Sequence, residues 1–227
     1  MDWEKLLCEK RLGRKDEDPT QLEEYPFRTE FEKDRDRIVF SSAFRRLQAK
    51  TQVHPTPDTD YTRTRLTHSI EASSVGRSLG NYVGHKICKD DKPFSTKGHS
   101  HTDFGDIVYS ACLAHDIGNP PFGHSGEKAI SDWFKNNKNV LDGLTQPQKD
   151  DFLKFEGNAQ GFRILTRLSG PCKRDHSYEP GGLQLTYATL GAFLKYPLTT
   201  QVAESVKADD SSAKKFSTDV PPIKRAS

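Results

Sequence analysis

Apolar residues recur along this chain at three- and four-residue spacing, the period of an α-helix with one buried face. The longest such pattern predicts a helix over 63–85. Its expected buried stripe consists of five residues: Leu66, Ile70, Val75, Leu79 and Val83. The sequence contains no run of alternating apolar and polar positions and no internal repeat. The pattern therefore predicts an all-α fold, a helical bundle joined by polar loops.

The same periodicity predicts further helices: over 31–50, through 106–116, from Ser125 onward, over 155–168 and over 181–197. Proline-rich or polar stretches separate them, and we expect loops over 51–61 and 86–105. The elements divide the chain into three regions. They are an irregular lead-in over 1–30, a helical domain over 31–197, and a Ser-, Lys- and Asp-rich tail over 198–227 that we expect to be largely unstructured.

Charge and cysteine content exclude several classes of protein. The 34 basic and 32 acidic residues nearly cancel, so bulk charge does not indicate nucleic acid or an anionic membrane as a partner. Four cysteines without a C-x-x-C pair argue against a disulfide framework and a zinc–thiolate site. The sequence shows no signal peptide and no run that could span a bilayer, so we expect a soluble cytoplasmic protein.

His115 and Asp116 end an apolar helical segment, and His68 lies on the stripe predicted for 63–85. The apolar residues that precede them on the same helix face predict that His115 and Asp116 point into the protein. A buried carboxylate is unfavourable unless it is paired or bound to a cation. Taken singly, each histidine is most simply a hydrogen-bonded core residue. Taken together, two imidazoles and one carboxylate on neighbouring helices form a plausible divalent-metal set, suited to iron, manganese or zinc, and to magnesium if oxygens complete the shell.

A Gly- and Pro-rich turn follows Asp116, and His124 then stands at the start of the next helix. Glu127 is one turn further on, so the two side chains share a face. A histidine oriented by a carboxylate is a suitable general acid or base, although a surface histidine beside a favourable first-turn glutamate fits equally well. Arg65, three residues before His68, could reach a metal-bound phosphate through its planar fork.

Five segments resemble, in order, the deoxyguanosinetriphosphate triphosphohydrolases (dGTPases) of the HD superfamily. They are RDRIVFSSAFRRLQAKTQV, RTRLTHSIEASSVGR, ACLAHDIGNPPFGHSGEKAI, FEGNAQGFRILTRL and GLQLTYATLGAFLKYP. The resemblance covers roughly 31–197 and implies an HD-domain helical bundle with a divalent metal, Mg²⁺ or Mn²⁺ foremost. It also implies hydrolysis of a deoxynucleoside triphosphate, dGTP preferred, to the deoxynucleoside and tripolyphosphate, an activity of dGTP catabolism.

The resemblance also implies roles for individual residues. It assigns metal binding to His68, His115 and Asp116, and proton transfer to His124 with Glu127 as its partner.

On the substrate side, the resemblance matches Gln52 to the residue that reads the sugar 3′-hydroxyl and Val53 to the position that excludes a 2′-hydroxyl. Arg65 resembles a phosphate-contacting arginine. Arg45 and Asn119 complete the expected substrate-binding set.

The resemblance ends before the region where the family supplies a further metal-binding aspartate and additional substrate contacts. We therefore expect a C-terminally truncated chain, divergent from about Phe216 onward. Apolar faces left uncovered would favour association, so we expect a homo-oligomer.

Two other hypotheses remain at this point. The chain could be another HD phosphohydrolase that cleaves a phosphodiester, which the Gln52–Val53 segment disfavours. It could also be an inactive oligomerisation or regulatory partner of a longer relative.

Overall fold

A computed structural model describes residues 2–14, 28–52, 63–90, 98–169 and 181–195. Within these ranges the chain is helical, with two isolated β-bridges and no strand. The predicted all-α class is confirmed. The expected tail over 198–227 and Val53 lie outside the described residues. The described α-helices are α1 (Trp3–Leu6), α2 (Glu30–Val39), α3 (Ser42–Arg45), α4 (Arg65–Asp90), α5 (His101–Ala114), α6 (His124–Asn136), α7 (Gln146–Leu153), α8 (Gly157–Arg163) and α9 (Tyr187–Phe193).

The described residues divide into two units, one within Met1–Glu127 with Glu156–Lys195 and the other within Lys128–Phe155. The main core of the first unit contains side chains from α2, α3, α5 and α9. Its buried members are Ile38, Phe44, Leu47, Ala111, Leu113, Ala114, Ile117, Leu165, Leu183, Leu185, Leu190 and Phe193. In the second unit, the ring of Phe134 packs on those of Trp133 and Phe152, with centroid distances of 5.0 and 4.7 Å.

The pairing of α4 with α5 depends on small residues. The buried face of α4 carries serines and glycines rather than large apolar side chains. A Cβ added to Gly80 would lie 2.8 Å from the carbonyl oxygen of Phe104, so the helices meet backbone to backbone. The apolar stripe predicted for this helix is wrong, because Val75 and Leu79 are 61% and 60% exposed. The close approach of the two helix backbones, rather than the packing of large apolar side chains, determines which residues of α4 face α5.

Several predicted helix boundaries are also wrong. The loop expected over 86–105 is shorter at both ends, since α4 continues to Asp90 and α5 begins at His101 behind a capping box formed by Ser100 and Asp103. The helix expected over 31–50 is interrupted after α2, where the Ser41 hydroxyl caps α3. The helix expected over 181–197 is reduced to α9, capped by Thr186.

A buried polar network joins the N-terminal segment to α2 and α9. Asp34 is fully buried and accepts a hydrogen bond from Nη1 of Arg11 at 2.6 Å. Its other oxygen accepts from the backbone N–H and the hydroxyl of Thr186, at 3.0 and 2.6 Å. Although the sequence predicts an irregular lead-in over 1–30, Arg11 is only 6% exposed and belongs to this interior.

Asp34→Ala is expected to destabilise the fold by about 2–4 kcal/mol, because Arg11 would lose its fully buried carboxylate partner and keep only the part-exposed Glu30. Asp36→Ala on the same helix is the matched control. Its carboxylate is 30% exposed, so we expect a loss of less than about 1 kcal/mol. Urea denaturation of both variants measures the difference, and equal free energies of unfolding would contradict the role of the network.

Candidate metal and catalytic site

Three of the predicted site residues meet where α4 and α5 pair. His68 lies in the first turn of α4, and His115 and Asp116 follow directly after α5. Their potential ligand atoms all lie within 4.8 Å of one another. The imidazole rings of the two histidines are 5.1 Å apart between centroids. The structure therefore brings together the two imidazoles and the carboxylate expected to bind a metal.

The protonation of the histidines suits metal binding. Nδ1 of His115 is 2.7 Å from the backbone oxygen of Cys112, so it donates its proton there and leaves the lone pair of Nε2 available. Burial, and next the neighbouring His115, hold the pKa of His68 below its ordinary value. Its imidazole is consequently neutral at neutral pH, which is the form that coordinates a cation.

The carboxylate of Asp116 is held on both of its oxygens. Asp116 is only 5% exposed. Nη1 of Arg65 donates to Oδ2 at 2.9 Å, and Nδ2 of Asn119 donates to Oδ1 at 2.5 Å. Arg65 and Asn119, both in the expected substrate-binding set, thus have Asp116 as their immediate partner. Each oxygen retains a further lone pair for a cation.

The predicted pair at the start of α6 is also in contact. Nδ1 of His124 is 2.6 Å from Oε2 of Glu127. The other carboxylate oxygen accepts the backbone N–H of Gly157 at 2.8 Å, so the glutamate is anchored to the start of α8. The His124 side chain is 59% exposed. An anchored carboxylate thus orients an accessible imidazole.

Sequence reasoning missed the glycines that hold the turn after Asp116 against α8. A Cβ added to Gly118 would overlap the carbonyl oxygen of Gly157 and the backbone of Gly161. A Cβ added to Gly157 would also overlap the side-chain oxygen of Asn119. The signal was available in the glycines of FEGNAQG, which stand four residues apart and share one face of a helix.

Of the other expected substrate residues, Arg45 is the last residue of α3, and Gln52 lies on the segment that follows. Lys50 on that segment donates from Nζ to the backbone oxygen of Asn119 at 2.7 Å, and burial, followed by Arg65 and Arg46, lowers its pKa. Lys50 is therefore half-buried beside the turn. Oε1 of Gln52 is buried without a partner among the described residues, and Arg45 is exposed. No contact in the described part of the chain joins either residue to the three candidate ligands.

Comparison with known proteins agrees with this geometry. Residues 65–164, which contain all three candidate ligands and the His124–Glu127 pair, match the family model of the HD domain. The chain is thus an HD-domain protein, a class that implies binding of a divalent metal. The donor set fits such an ion, since neutral imidazoles and a carboxylate are ordinary ligands for it.

Individual relatives of the chain identify a narrower family within the HD-domain proteins. Deoxyguanosinetriphosphate triphosphohydrolase-like proteins of Pseudomonas aeruginosa and Synechocystis sp. are 51% and 55% identical, over 91% and 87% of this chain. A deoxyguanosinetriphosphate triphosphohydrolase of Enterobacter sp. is 40% identical over 73% of the chain. The chain belongs to this dGTPase family of HD-domain proteins. It spans only 44%, 43% and 36% of the lengths of these relatives.

No described helix has both the length and the apolar character that crossing a bilayer requires.

Proposed function

We propose that the chain hydrolyses deoxynucleoside triphosphates, dGTP foremost, to the deoxynucleoside and tripolyphosphate. The observation that carries the proposal is the meeting of His68, His115 and Asp116, together with the oriented His124–Glu127 pair, in a chain similar to proteins of that name. A divalent cation of this kind polarises a phosphoryl oxygen and lowers the pKa of a bound water. Mg²⁺ or Mn²⁺ is the proposed ion.

The protein's own groups would orient the substrate and move protons. Glu127 accepts the Nδ1 proton of His124, so Nε2 is the atom that exchanges a proton with the reacting oxygens. We assign this proton transfer to His124 because it combines an oriented imidazole with access from solvent.

On the substrate side, the proposal follows the family resemblance. Oε1 of Gln52 is a buried acceptor without a partner among the described residues, and a sugar 3′-hydroxyl would supply a donor for it. Val53 is proposed to exclude a 2′-hydroxyl, and Arg45 to approach the phosphates. The outward apolar side chains of α4, Val75 and Leu79, support assembly into a homo-oligomer. A nucleotide substrate also favours a cytoplasmic location.

Product analysis tests the proposal. The chain is incubated with dGTP and MgCl₂ or MnCl₂, and the phosphate products are separated by anion exchange. We expect tripolyphosphate together with deoxyguanosine, and much slower turnover of GTP. His115→Ala should be inactive. His85→Ala removes an exposed histidine of α4 outside the candidate ligand set, and this variant should act as the unsubstituted chain does. Release of pyrophosphate or single phosphate, or faster cleavage of a phosphodiester such as bis(p-nitrophenyl) phosphate, would contradict the proposal.

Glu127→Gln is expected to lower kcat about 100-fold while leaving metal content unchanged. His124 Nδ1–H and the N–H of Gly157 donate to different oxygens of Glu127, and in the amide one of these positions becomes an NH2 group that cannot accept. Steady-state kinetics with metal analysis measures both effects. Asp132→Asn is the control, because Asp132 is an exposed carboxylate further along α6. An unchanged kcat in Glu127→Gln would remove the glutamate from the proton-transfer machinery.

A further inference from the structure

Asp116 is held by two neighbours that the sequence had associated with substrate. We infer that Arg65 and Asn119 are positioning residues, which fix the Asp116 carboxylate for metal binding, and that Arg65 also positions the turn leading to His124. This inference rests on the metal centre of the proposed function, but it concerns how the protein builds that centre rather than what it hydrolyses.

The guanidinium of Arg65 is turned into the protein. Arg65 is 7% exposed, although it begins α4, and its Nη1 donates to Oδ2 of Asp116 at 2.9 Å. Its Nε is buried as well. A planar guanidinium has a fixed fork of donors, so the group that holds the carboxylate has little freedom to follow a substrate phosphate.

Asn119 holds the same carboxylate from the other oxygen. Its Nδ2 donates to Oδ1 of Asp116 at 2.5 Å, and its backbone N–H donates to the Asp116 carbonyl at 3.1 Å. Its own backbone oxygen accepts from Nζ of Lys50 at 2.7 Å, which fixes Asn119 in turn. With one donor on each oxygen, the carboxylate is confined to a single orientation.

Gly123 extends the role of Arg65 toward His124. Gly123 has φ of +56°, and a Cβ at this position would lie 2.7 Å from Nη2 of Arg65. The guanidinium therefore packs against the backbone immediately before His124 while its other nitrogen holds Asp116. One side chain thus relates the position of a candidate metal ligand to the position of the proposed proton-transfer group.

The test measures Mn²⁺ affinity without nucleotide, from the loss of the electron paramagnetic resonance signal of free Mn²⁺. Arg65→Lys retains the charge but loses the fork, and Asn119→Ala removes one donor while leaving Arg65 in place. We expect each to weaken Mn²⁺ binding at least about 10-fold. Arg63→Lys is the matched control, because Arg63 lies two residues away, is exposed and pairs with Glu71. It should bind Mn²⁺ within about twofold of the unsubstituted chain, since it does not contact Asp116.

The outcomes separate this inference from the proposed function. Circular dichroism checks that each variant folds. If Arg65→Lys does not fold, the Mn²⁺ affinity of Asn119→Ala alone tests the inference. Unchanged Mn²⁺ affinity in the folded variants, with a raised KM for dGTP in Arg65→Lys, would overturn the positioning role and make Arg65 a phosphate contact. Weakened Mn²⁺ binding in the folded variants supports the positioning role. If the unsubstituted chain releases no tripolyphosphate, that result contradicts only the proposed function. An unsubstituted chain that binds no Mn²⁺ would overturn both.

Discussion

Asp116→Ala is expected to abolish divalent-metal binding and to destabilise the fold at the same time. The variant loses the anionic ligand of the proposed centre and leaves the buried Arg65 guanidinium without its carboxylate. Removing one partner of a buried ion pair costs about 3–5 kcal/mol. Urea denaturation in the presence of EDTA measures the stability loss separately from metal, and Mn²⁺ titration measures the binding loss.

His115→Ala separates the two effects. The His115 side chain is 37% exposed, so its removal should also abolish Mn²⁺ binding but cost clearly less stability than Asp116→Ala. Equal losses of unfolding free energy in the two variants would show that the Arg65–Asp116 ion pair does not contribute to the stability of the fold. Mn²⁺ binding by Asp116→Ala as tight as that of the unsubstituted chain would exclude the carboxylate as a ligand.

Gly118→Ala is expected to destabilise the first unit by at least about 1–3 kcal/mol, the usual range for overpacking a filled interior. The added methyl group would overlap backbone atoms of Gly157 and Gly161, and backbone cannot move aside as a flexible side chain can. Because Gly157 also anchors Glu127, the variant should lose activity beyond its loss of stability.

Gly191→Ala provides the matched control. Gly191 lies within α9, where an added Cβ meets nothing within 4 Å. The same substitution there should stabilise the protein by about 0.5–1 kcal/mol, since alanine loses less chain entropy in a helix. Thermal unfolding of both variants measures the contrast. If Gly118→Ala were as stable as Gly191→Ala, the close approach of the turn to α8 would be contradicted.

The parts of the site that the sequence predicted are those set by local spacing. His115 and Asp116 are adjacent, and Glu127 follows His124 by three residues, so helical geometry alone places each pair together. The meeting of His68 with the HD pair depended on two helices packing. It was predicted from the inward positions that the apolar periodicity gave these residues, from imidazole and carboxylate chemistry, and from the resemblance.

The packing of α4 shows why periodicity failed. Apolar residues normally mark the buried face of a helix, but here Ile70 and Val83 are 47% and 49% exposed, while glycines and serines face α5. The pattern is reversed because backbone contact leaves no room for large side chains. The prediction that His68 faces the protein was made from this stripe, and His68 is half-buried although Val75 and Leu79 of the stripe are exposed.

The partner of Arg65 could not be predicted from sequence. Arg65 and Asp116 are 51 positions apart, and an arginine three residues before a metal-binding histidine suits either a phosphate or a carboxylate. Only the three-dimensional arrangement of α4 against the turn after α5 shows that Asp116 is the neighbour of Arg65.

The most direct test of the metal centre is a crystal of the chain grown with Mn²⁺ and measured near the manganese absorption edge. We expect one anomalous peak within coordination distance of an imidazole nitrogen of His68, Nε2 of His115 and a carboxylate oxygen of Asp116. A fully occupied Mn²⁺ elsewhere, with these three side chains making no contact to an ion, would contradict this expectation.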